Sequence, residues 1–573
     1  MYQLTNKEVS RILKELAKLM ELKGENKFKV RAYYNASRQL INMSDNIQDL
    51  AREGKIRNIP GVGEGIARSI KEIMEKGYSP ELEELKAELP GGLLEIIKIP
   101  GLGPKRAYQL FNELGVTNLE ELKSALNTGK ARKLKGFGVK TEENLKNKIE
   151  KYESFKNTYL LKEALGILDE LKRYIKKCPG VSRVKMTGEA RRKKELVNSL
   201  EILVASKEKE SVLEYLRKLS FAKSIEEKEE NGYLLTFEDD IRIKVFIVPP
   251  DMFCFYLFYL TGSKDHVQKM ETIADDAGYQ LTIKGLYKDS SKIKVKNEEE
   301  IYTTLGVSYI IPELRENRGE ITAGFKNCLP DSINLRDIKG DLHIHSSYSD
   351  GGFSIREIIE AARKKGYEYL AITDHSRSLK VASGLSVDRL FKQIEEIDKL
   401  QEEYDDIIIF KGIEVDINKD GSLDYSDEVL SYLDFVIASV HTAFNMDRDK
   451  MTSRLIKAME NPHVNAIGHP RGRLLKRRDA YKIDMDRIIQ VASETNTCLE
   501  INSSPDRLDI DDVLARKAKE VGVKLVINTD AHHLEELNNM SLGVAVARRG
   551  WLEREDVINT MNAEELQELL RRD

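Results

Sequence analysis

The chain has 573 residues, 41% of them hydrophobic, and that length predicts several domains, each able to bury its own core. Its net charge of −4 hides an uneven spread: residues 1–150 carry +6, residues 151–340 carry +2 and residues 341–573 carry −12. The four cysteines (Cys178, Cys254, Cys328, Cys498) are far apart and form no CxxC, which excludes a disulfide scaffold and a thiolate zinc site.

The basic front suits a polyanion and the acidic back suits bound divalent cations. Separated cysteines point to a reducing compartment. Met1 leads directly into a charged helical pattern, so no signal peptide is expected, and no apolar run is long enough to span a membrane. The expectation is a soluble, cytoplasmic protein with no membrane partner.

In chain order, residues 4 to about 150 read as consecutive helices. LTNKEVSRILKELAKLMELKG carries apolar residues at helical spacing, and the basic, aromatic stretch KFKVRAYYNASRQL follows it. A pattern then recurs three times: IPGVGEGIARSI (59–70), IPGLGPKRAYQL (99–110) and LKGFGVKTEENL (134–145). Each is an apolar lead-in, a G-x-G turn and a helix. The glycines (Gly61 and Gly63, Gly101 and Gly103, Gly136 and Gly138) permit a tight turn and close approach to another surface. The helix that follows presents free N–H groups and a positive dipole end, which attract phosphate. Such units hold a nucleic-acid backbone without reading bases, and Lys105 and Arg106 add charge to the second.

From about 158 to 315 the pattern is mixed. SLEILVAS, GYLLTFE and IRIKVFIVPP read as strands, the last ending at Pro249. Residues 316–340, with Gly319, Gly324 and Pro330, read as a linker. From 341 onward short apolar strands alternate with helices, the pattern of a parallel β/α barrel or sheet.

Most of those C-terminal strands end in a histidine or an acid. DLHIH gives His343 and His345, YSDG gives Asp350, TDH gives His375 and GIEVD gives Glu414. SVH gives His441, GHP gives His469, and NTDAH gives Asp530 and His532. In a β/α barrel the strand C-termini converge on one face, so these residues are expected to meet there. His343 and His345, two apart on a strand, face the same way. Six of the nine histidines lie at such positions; His266, His463 and His533 do not. Imidazole and carboxylate ligands without thiolate suit Zn²⁺, Mn²⁺ or Fe²⁺, and Mg²⁺ is compatible.

This region resembles the PHP (polymerase and histidinol phosphatase) domain, with all nine ligand positions of that pattern filled. The resemblance implies a trinuclear site on a distorted seven-stranded β/α barrel. His343, His345, Glu414 and Asp530 would hold one metal. Glu414, as a bridge, would hold a second with His441 and His469. Asp350, His375 and His532 would hold the third. Glu414, His441 and His375 are the implied catalytic group, and the run RGRLLKRR offers Arg471, Arg473, Arg477 and Arg478 to a phosphate.

The whole chain resembles family X DNA polymerases that carry a C-terminal PHP domain. The motifs that carry this are FKVRAYYNASRQL, the glycine hairpins, IVPPDMFCFYLFYLTGSKDH (247–266) and YTTLGVSYIIPELRENRGEI (302–321). The implied fold is multidomain: an all-α helix-hairpin-helix N-terminal region, an α+β nucleotidyltransferase-like palm and thumb, and the α/β PHP barrel. The expected boundaries are 1–85 for a small DNA-binding domain, 86–155 for fingers, 156–240 for palm and 241–320 for thumb. A linker over 321–340 and the PHP domain over 341–573 complete the chain.

The palm departs from its family. Members hold two Mg²⁺ ions with three aspartates, two of them in a D-x-D on one strand and the third on a neighbour. Here Ser199 and Glu201 occupy the D-x-D positions and Lys244 the third, and a lysine opposes metal binding. Asp239 and Asp240 fall before the strand and do not replace it. Glu189 stands where a neutral serine would face the triphosphate. Ser69 replaces the lysine nucleophile of lyase relatives, and nearby Lys71 and Lys76 read as solvated. The expectation is a monomeric DNA-repair phosphodiesterase with a silent palm, acting as a 3′→5′ exonuclease, 3′-end processor or abasic-site endonuclease. Its DNA would be gapped, nicked, 3′-ended or abasic. The alternatives are an active gap-filling polymerase with unusual metal ligands and a histidinol-phosphatase-like small-molecule phosphatase.

Overall fold

The computed structural model describes residues 4–571 except 44–45, 100, 220–221 and 238–239. Pro100 of the second hairpin, Asp239 and the chain ends therefore lie outside the described residues. The chain forms two compact units, Met1–Lys156 and Asn157–Asp573.

The first unit is helical. Helix α1 (Asn6–Lys23) starts at a capping box in which Thr5 accepts from the Glu8 amide and the Glu8 carboxylate accepts from the Thr5 amide. Its stripe of Val9, Leu13, Leu16 and Met20 is fully buried, partly against α2 (Lys27–Asn42). One apolar core runs from Val9 to Ile149. The expected boundary at 85/86 is therefore not a break between cores. The three G-x-G turns lead into α3 (Glu64–Lys76), α4 (Pro104–Leu114) and α5 (Val139–Ser154).

The second unit begins with α6 (Leu161–Ile175) and a five-stranded sheet of β1 (Val181–Met186), β2 (Leu200–Ser206), β3 (Ala222–Glu229), β4 (Gly232–Phe237) and β5 (Arg242–Val248). The spatial order is β1-β2-β5-β4-β3, with only β2 and β5 parallel. Strand β5 pairs along six residues of β2, so the expected palm–thumb boundary at 240/241 cuts this sheet and belongs after Val248. Helices α7 (Phe253–Thr261) and α8 (Lys264–Asp276) follow, in a smaller core around Phe258 and Tyr302. A buried ion pair and a buried hydrogen bond brace it: Arg315 donates to Glu298 at 2.6 Å, and His266 Nδ1 lies 2.6 Å from Glu320. His266 is thus a core residue.

Residues 321–340 are not a free linker. A helix spans Glu320–Phe325, and Ile333 is fully buried with its amide bonded to the Leu552 carbonyl. Seven parallel strands then form the barrel: β6 (Gly340–Ile344), β7 (Tyr369–Ile372), β8 (Ile408–Asp416), β9 (Phe435–Ser439), β10 (Ala466–Ile467), β11 (Cys498–Asn502) and β12 (Leu525–Asn528). They lie in chain order, and the β6/β12 seam is closed by an Ile344–Ala531 bridge and by Asn528 accepting from the Leu342 amide. The barrel is nearly closed, and its strands are buried on both faces. The palm sheet and the barrel share one continuous apolar core. Among the described residues no helix is long and apolar enough to cross a membrane.

Candidate metal centre

The nine ligand candidates do converge at the C-terminal strand ends. His343 and Glu414 lie inside β6 and β8; the other seven leave β6, β7, β9, β10 and β12 within a few residues. His343, His345, His375, Glu414, His469 and Asp530 are buried, His441 and His532 half-buried and Asp350 exposed. Glu414 is the hub. Its Oε1 lies 3.0 Å from His469 Nε2, 3.3 Å from His441 Nε2 and 3.6 Å from His343 Nε2. Its Oε2 lies 2.7 Å from His375 Nδ1 and 3.8 Å from His345 Nε2. Asp530 Oδ1 is 3.1 Å from His345 Nε2 and 3.7 Å from His343 Nε2. Asp350 Oδ1 is 3.4 Å from His532 Nε2 and 3.6 Å from His375 Nε2.

Three tight donor groups result: His343, His345 and Asp530; His375, Glu414 and His441; and His345, Asp350, His375 and His532. His345 and His375 each stand between two groups, so the separation into three private ligand sets is blurred at those imidazoles. The donor chemistry fits divalent cations. Several buried donor atoms, including His343 Nε2, His375 Nδ1 and Glu414 Oε2, have no hydrogen-bond partner despite their proximity. Buried polar atoms without partners are costly unless something coordinates them.

A second layer orients the imidazoles. His343 Nδ1 lies 2.6 Å from Glu500, and His441 Nδ1 lies 2.8 Å from Asp416, which also accepts from Ser378. These contacts turn the Nε2 atoms inward, the carboxylate–histidine arrangement typical of metal sites. Sequence reasoning missed both acids. The signal was present in GIEVD: Asp416 is two residues from Glu414 on one strand and so shares its face. Two ligand candidates hold left-handed backbone, His469 (φ 28°) and Asp530 (φ 54°), a strain that functional sites tend to retain. Gly468 has no room for a side chain, because a Cβ would meet Ser439 Oγ at 2.4 Å.

The electrostatics are those of a charged cluster. Burial alone would raise the Glu414 carboxyl, but His441, His375 and His343 hold it well below the usual range. Burial opposes protonation of His441, yet Glu414 and Asp416 lift it to about 10. Against the same opposition, Asp350 and Asp530 lift His532 to about 9. Burial, then His375 and His532, push His345 down to about 3.

The arginines after His469 are placed differently from expectation. Arg473 is buried, donates to Glu195 at 3.2 and 2.5 Å, and is no open phosphate contact. Arg471 pairs with Asp511, and exposed Arg477 lies 3.4 Å from Asp506. Arg478 lies over the Phe444 ring and gives its Nε to the Gly472 carbonyl. The arginine at the centre itself is Arg507, whose Nε is 3.3 Å from Asp530 Oδ2. Nothing in SSPDRL flagged it.

Glu201 and Lys244 are directly paired across β2 and β5, with Lys244 Nζ 3.8 Å from Glu201 Oε1. Burial raises the Glu201 carboxyl, offset only in part by Ser199 and Lys244. Glu189 accepts from the backbone and side-chain amides of Asn198. Glu189, Asn198, Ser199, Glu201 and Lys264 line a cleft of about 530 Å³. In the helical unit, Gly61, Gly101 and Gly136 take φ of 76°, 92° and 89°. Gly63, Gly103 and Gly138 cap α3, α4 and α5 with no side-chain hydrogen bond, although α4 opens on Pro104, which has no amide N–H to offer. Lys105 is exposed, whereas Arg106 folds back onto the Gly101 carbonyl. Ser69 accepts or donates a hydrogen bond with Tyr33 at 2.8 Å, and Lys71 and Lys76 are exposed beside Glu75 and Glu72.

Helical hairpins, a nucleotidyltransferase-type sheet and a histidine-rich β/α barrel define a DNA-handling protein with a metal-dependent phosphoesterase domain. Family models agree: Helix-hairpin-helix domain at residues 4–79, SAM-like Helix-hairpin-helix tandem at 93–151, DNA polymerase beta thumb at 256–316 and PHP domain at 341–504. The DNA polymerase/3′-5′ exonuclease PolX of Bacillus subtilis is 40% identical over 570 residues, 99% of both chains. A probable phosphatase of a Thermoanaerobacter species is 31% identical over 231 residues, 38% of this chain and 89% of that one. Another, from Shewanella sediminis, is 28% identical over 229 residues, 38% of this chain and 88% of that one. The chain belongs to the PolX family, the family X DNA polymerases that carry a PHP domain.

Proposed function

We propose that this protein is a cytoplasmic, monomeric DNA-repair nuclease that removes nucleotides from DNA 3′ ends at the PHP centre and does not polymerise. The observation that carries the reading is the convergence of nine donors around Glu414, with buried donor atoms left unpartnered. His343, His345, Glu414 and Asp530 would hold one divalent ion, Glu414, His441 and His469 a second, and Asp350, His375 and His532 a third. Bound ions would supply an acidified water at neutral pH and positive charge for the phosphorane-like transition state. Mn²⁺, Zn²⁺ and Fe²⁺ suit this donor set.

The chain's own residues do the rest. Glu500 and Asp416 fix the imidazole rings of His343 and His441. Arg507, beside Asp530, would orient the scissile phosphate. The helical unit holds the DNA backbone through hairpin amides and basic side chains. In the palm, the Glu201–Lys244 pair occupies the positions of two metal-binding aspartates, so the cleft lacks the carboxylates that paired Mg²⁺ ions require.

The same geometry admits abasic-site cleavage, and the phosphatase names of the shorter relatives favour a second reading, hydrolysis of a small phosphomonoester. The test is a hydrolysis panel with Mn²⁺, Zn²⁺ or Mg²⁺ on gapped, nicked, 3′-blocked and abasic DNA, with a small phosphomonoester beside them. Metal-dependent shortening from 3′ ends is expected. Turnover of the monoester with intact DNA would replace the nuclease reading by the phosphatase one.

A further inference from the structure

We propose that Glu195, in the palm, is a positioning residue for the metal centre: through Arg473 it sets the loop that carries Arg507. The proposal rests on the nuclease reading above but is separable from it by experiment.

Glu195 is itself firmly held. Its carbonyl accepts from the Leu161 amide, and Leu196 and Val197, next in the chain, pair with Leu160 and Tyr159. Its carboxylate takes both terminal nitrogens of Arg473 in a two-pronged contact, the geometry that fixes a guanidinium plane most firmly. The Arg473 side chain is only 8% exposed. Its remaining donors are spent on one short stretch of the barrel: Nε bonds the Arg507 carbonyl at 3.0 Å, and Nη2 also bonds the Leu508 carbonyl. Leu508 is fully buried with a left-handed backbone (φ 41°), a conformation that a leucine keeps only when its surroundings impose it. From this stretch the Arg507 side chain reaches Asp530, whose other oxygen faces His345.

A palm carboxylate is thus linked through one guanidinium and two carbonyls to the cationic side chain beside a metal-ligand carboxylate. Removing the Glu195 charge takes the two-pronged partner from a buried guanidinium and leaves it to Asp511, 3.7 Å away, and the field of Asp509. The 507–508 carbonyls then lose a fixed donor, and Arg507 loses its defined reach. The palm, without a metal cage of its own, acts here as a template for its neighbour.

The test uses the full-length chain with Glu195→Gln, Arg507→Ala, the double variant, and Lys162→Ala as a control. Lys162 joins palm to barrel elsewhere, at Asn539 (2.8 Å), and does not touch the loop. Amide hydrogen exchange on metal-free protein gives the first readout. Glu195→Gln should speed exchange in residues 503–511 but not in 340–345, and Lys162→Ala should change neither. The second readout is kcat for 3′-end removal. Glu195→Gln should lower it about 10- to 100-fold at unchanged metal content. In the Arg507→Ala background the same change should have no further effect, because the two act in series. Unchanged exchange in 503–511, independent multiplying effects on kcat, or the same pattern from Lys162→Ala would each overturn the proposal. If the wild-type chain does not cleave DNA, the nuclease reading fails, and the exchange readout alone still decides whether Glu195 sets the loop.

Discussion

Glu414 faces five imidazoles through its two oxygens. Its replacement should therefore differ in kind from loss of one imidazole. Glu414→Ala and His375→Ala should each lower DNA hydrolysis on the order of a thousandfold, since attack and leaving-group stabilisation act together. Elemental analysis should separate them, with Glu414→Ala losing more metal per chain. Equal metal content in the two would show that Glu414 does not bridge. The carboxylates behind the imidazoles should act more mildly: Asp416→Asn is expected to weaken metal binding about 10- to 100-fold while leaving the fold intact.

The same residues set a pH dependence. His441 and His532, lifted to about 10 and about 9, are protonated at neutral pH in the metal-free protein. A metal requires them neutral, so uptake at pH 7 should release protons, and affinity should fall as pH falls. Calorimetry in buffers of different ionisation enthalpy measures that release, and its absence would contradict the protonated state. For folding the sign is the reverse of an acidic group's. Raised histidines contribute stability that is complete below their unfolded value and is lost as pH rises through about 9 to 10. Thermal melts of the metal-free protein should therefore decline across that range.

At the scale of elements, the barrel was the most legible part. Each strand is a short apolar run, and ligands at the C-terminal ends mark one face, so position and chemistry coincide in DLHIH, GIEVD and SVH. The palm strands β1 and β3 were illegible because VSRVKM and AKSIEEKE carry charges on half-exposed edges. Only pairing with better-marked neighbours makes them strands. The 321–340 segment misled for the opposite reason: its glycine and proline suggest a loop, while Ile333 is locked into the core by a contact 219 residues away in sequence. Arg473 shows the same limit, since a basic run on a loop looks solvated until the palm supplies Glu195. The hairpins keep the turn-then-helix form that their spacing implied, each G-x-G leading directly into a helix. Residues 1–156 should bind gapped or single-stranded DNA with affinity that falls steeply between about 50 and 500 mM salt. Salt-independent binding would rule out the electrostatic mode of contact.

At the scale of the molecule, the proposed function keeps one of the two activities that meet in the name of the Bacillus subtilis relative. The palm sheet carries a cleft of about 530 Å³ lined in part by Glu201, which stands 3.8 Å from Lys244. The barrel keeps every donor. The most direct measurement is a single denaturing gel of a 5′-labelled primer: full-length protein, gapped DNA, all four deoxynucleoside triphosphates and Mn²⁺, for wild type and Glu414→Ala. The primer should shorten from its 3′ end with wild type, remain intact with Glu414→Ala and lengthen with neither. Primer extension by Glu414→Ala, or shortening that survives that change, would contradict the assignment of activity to the PHP centre and silence to the palm.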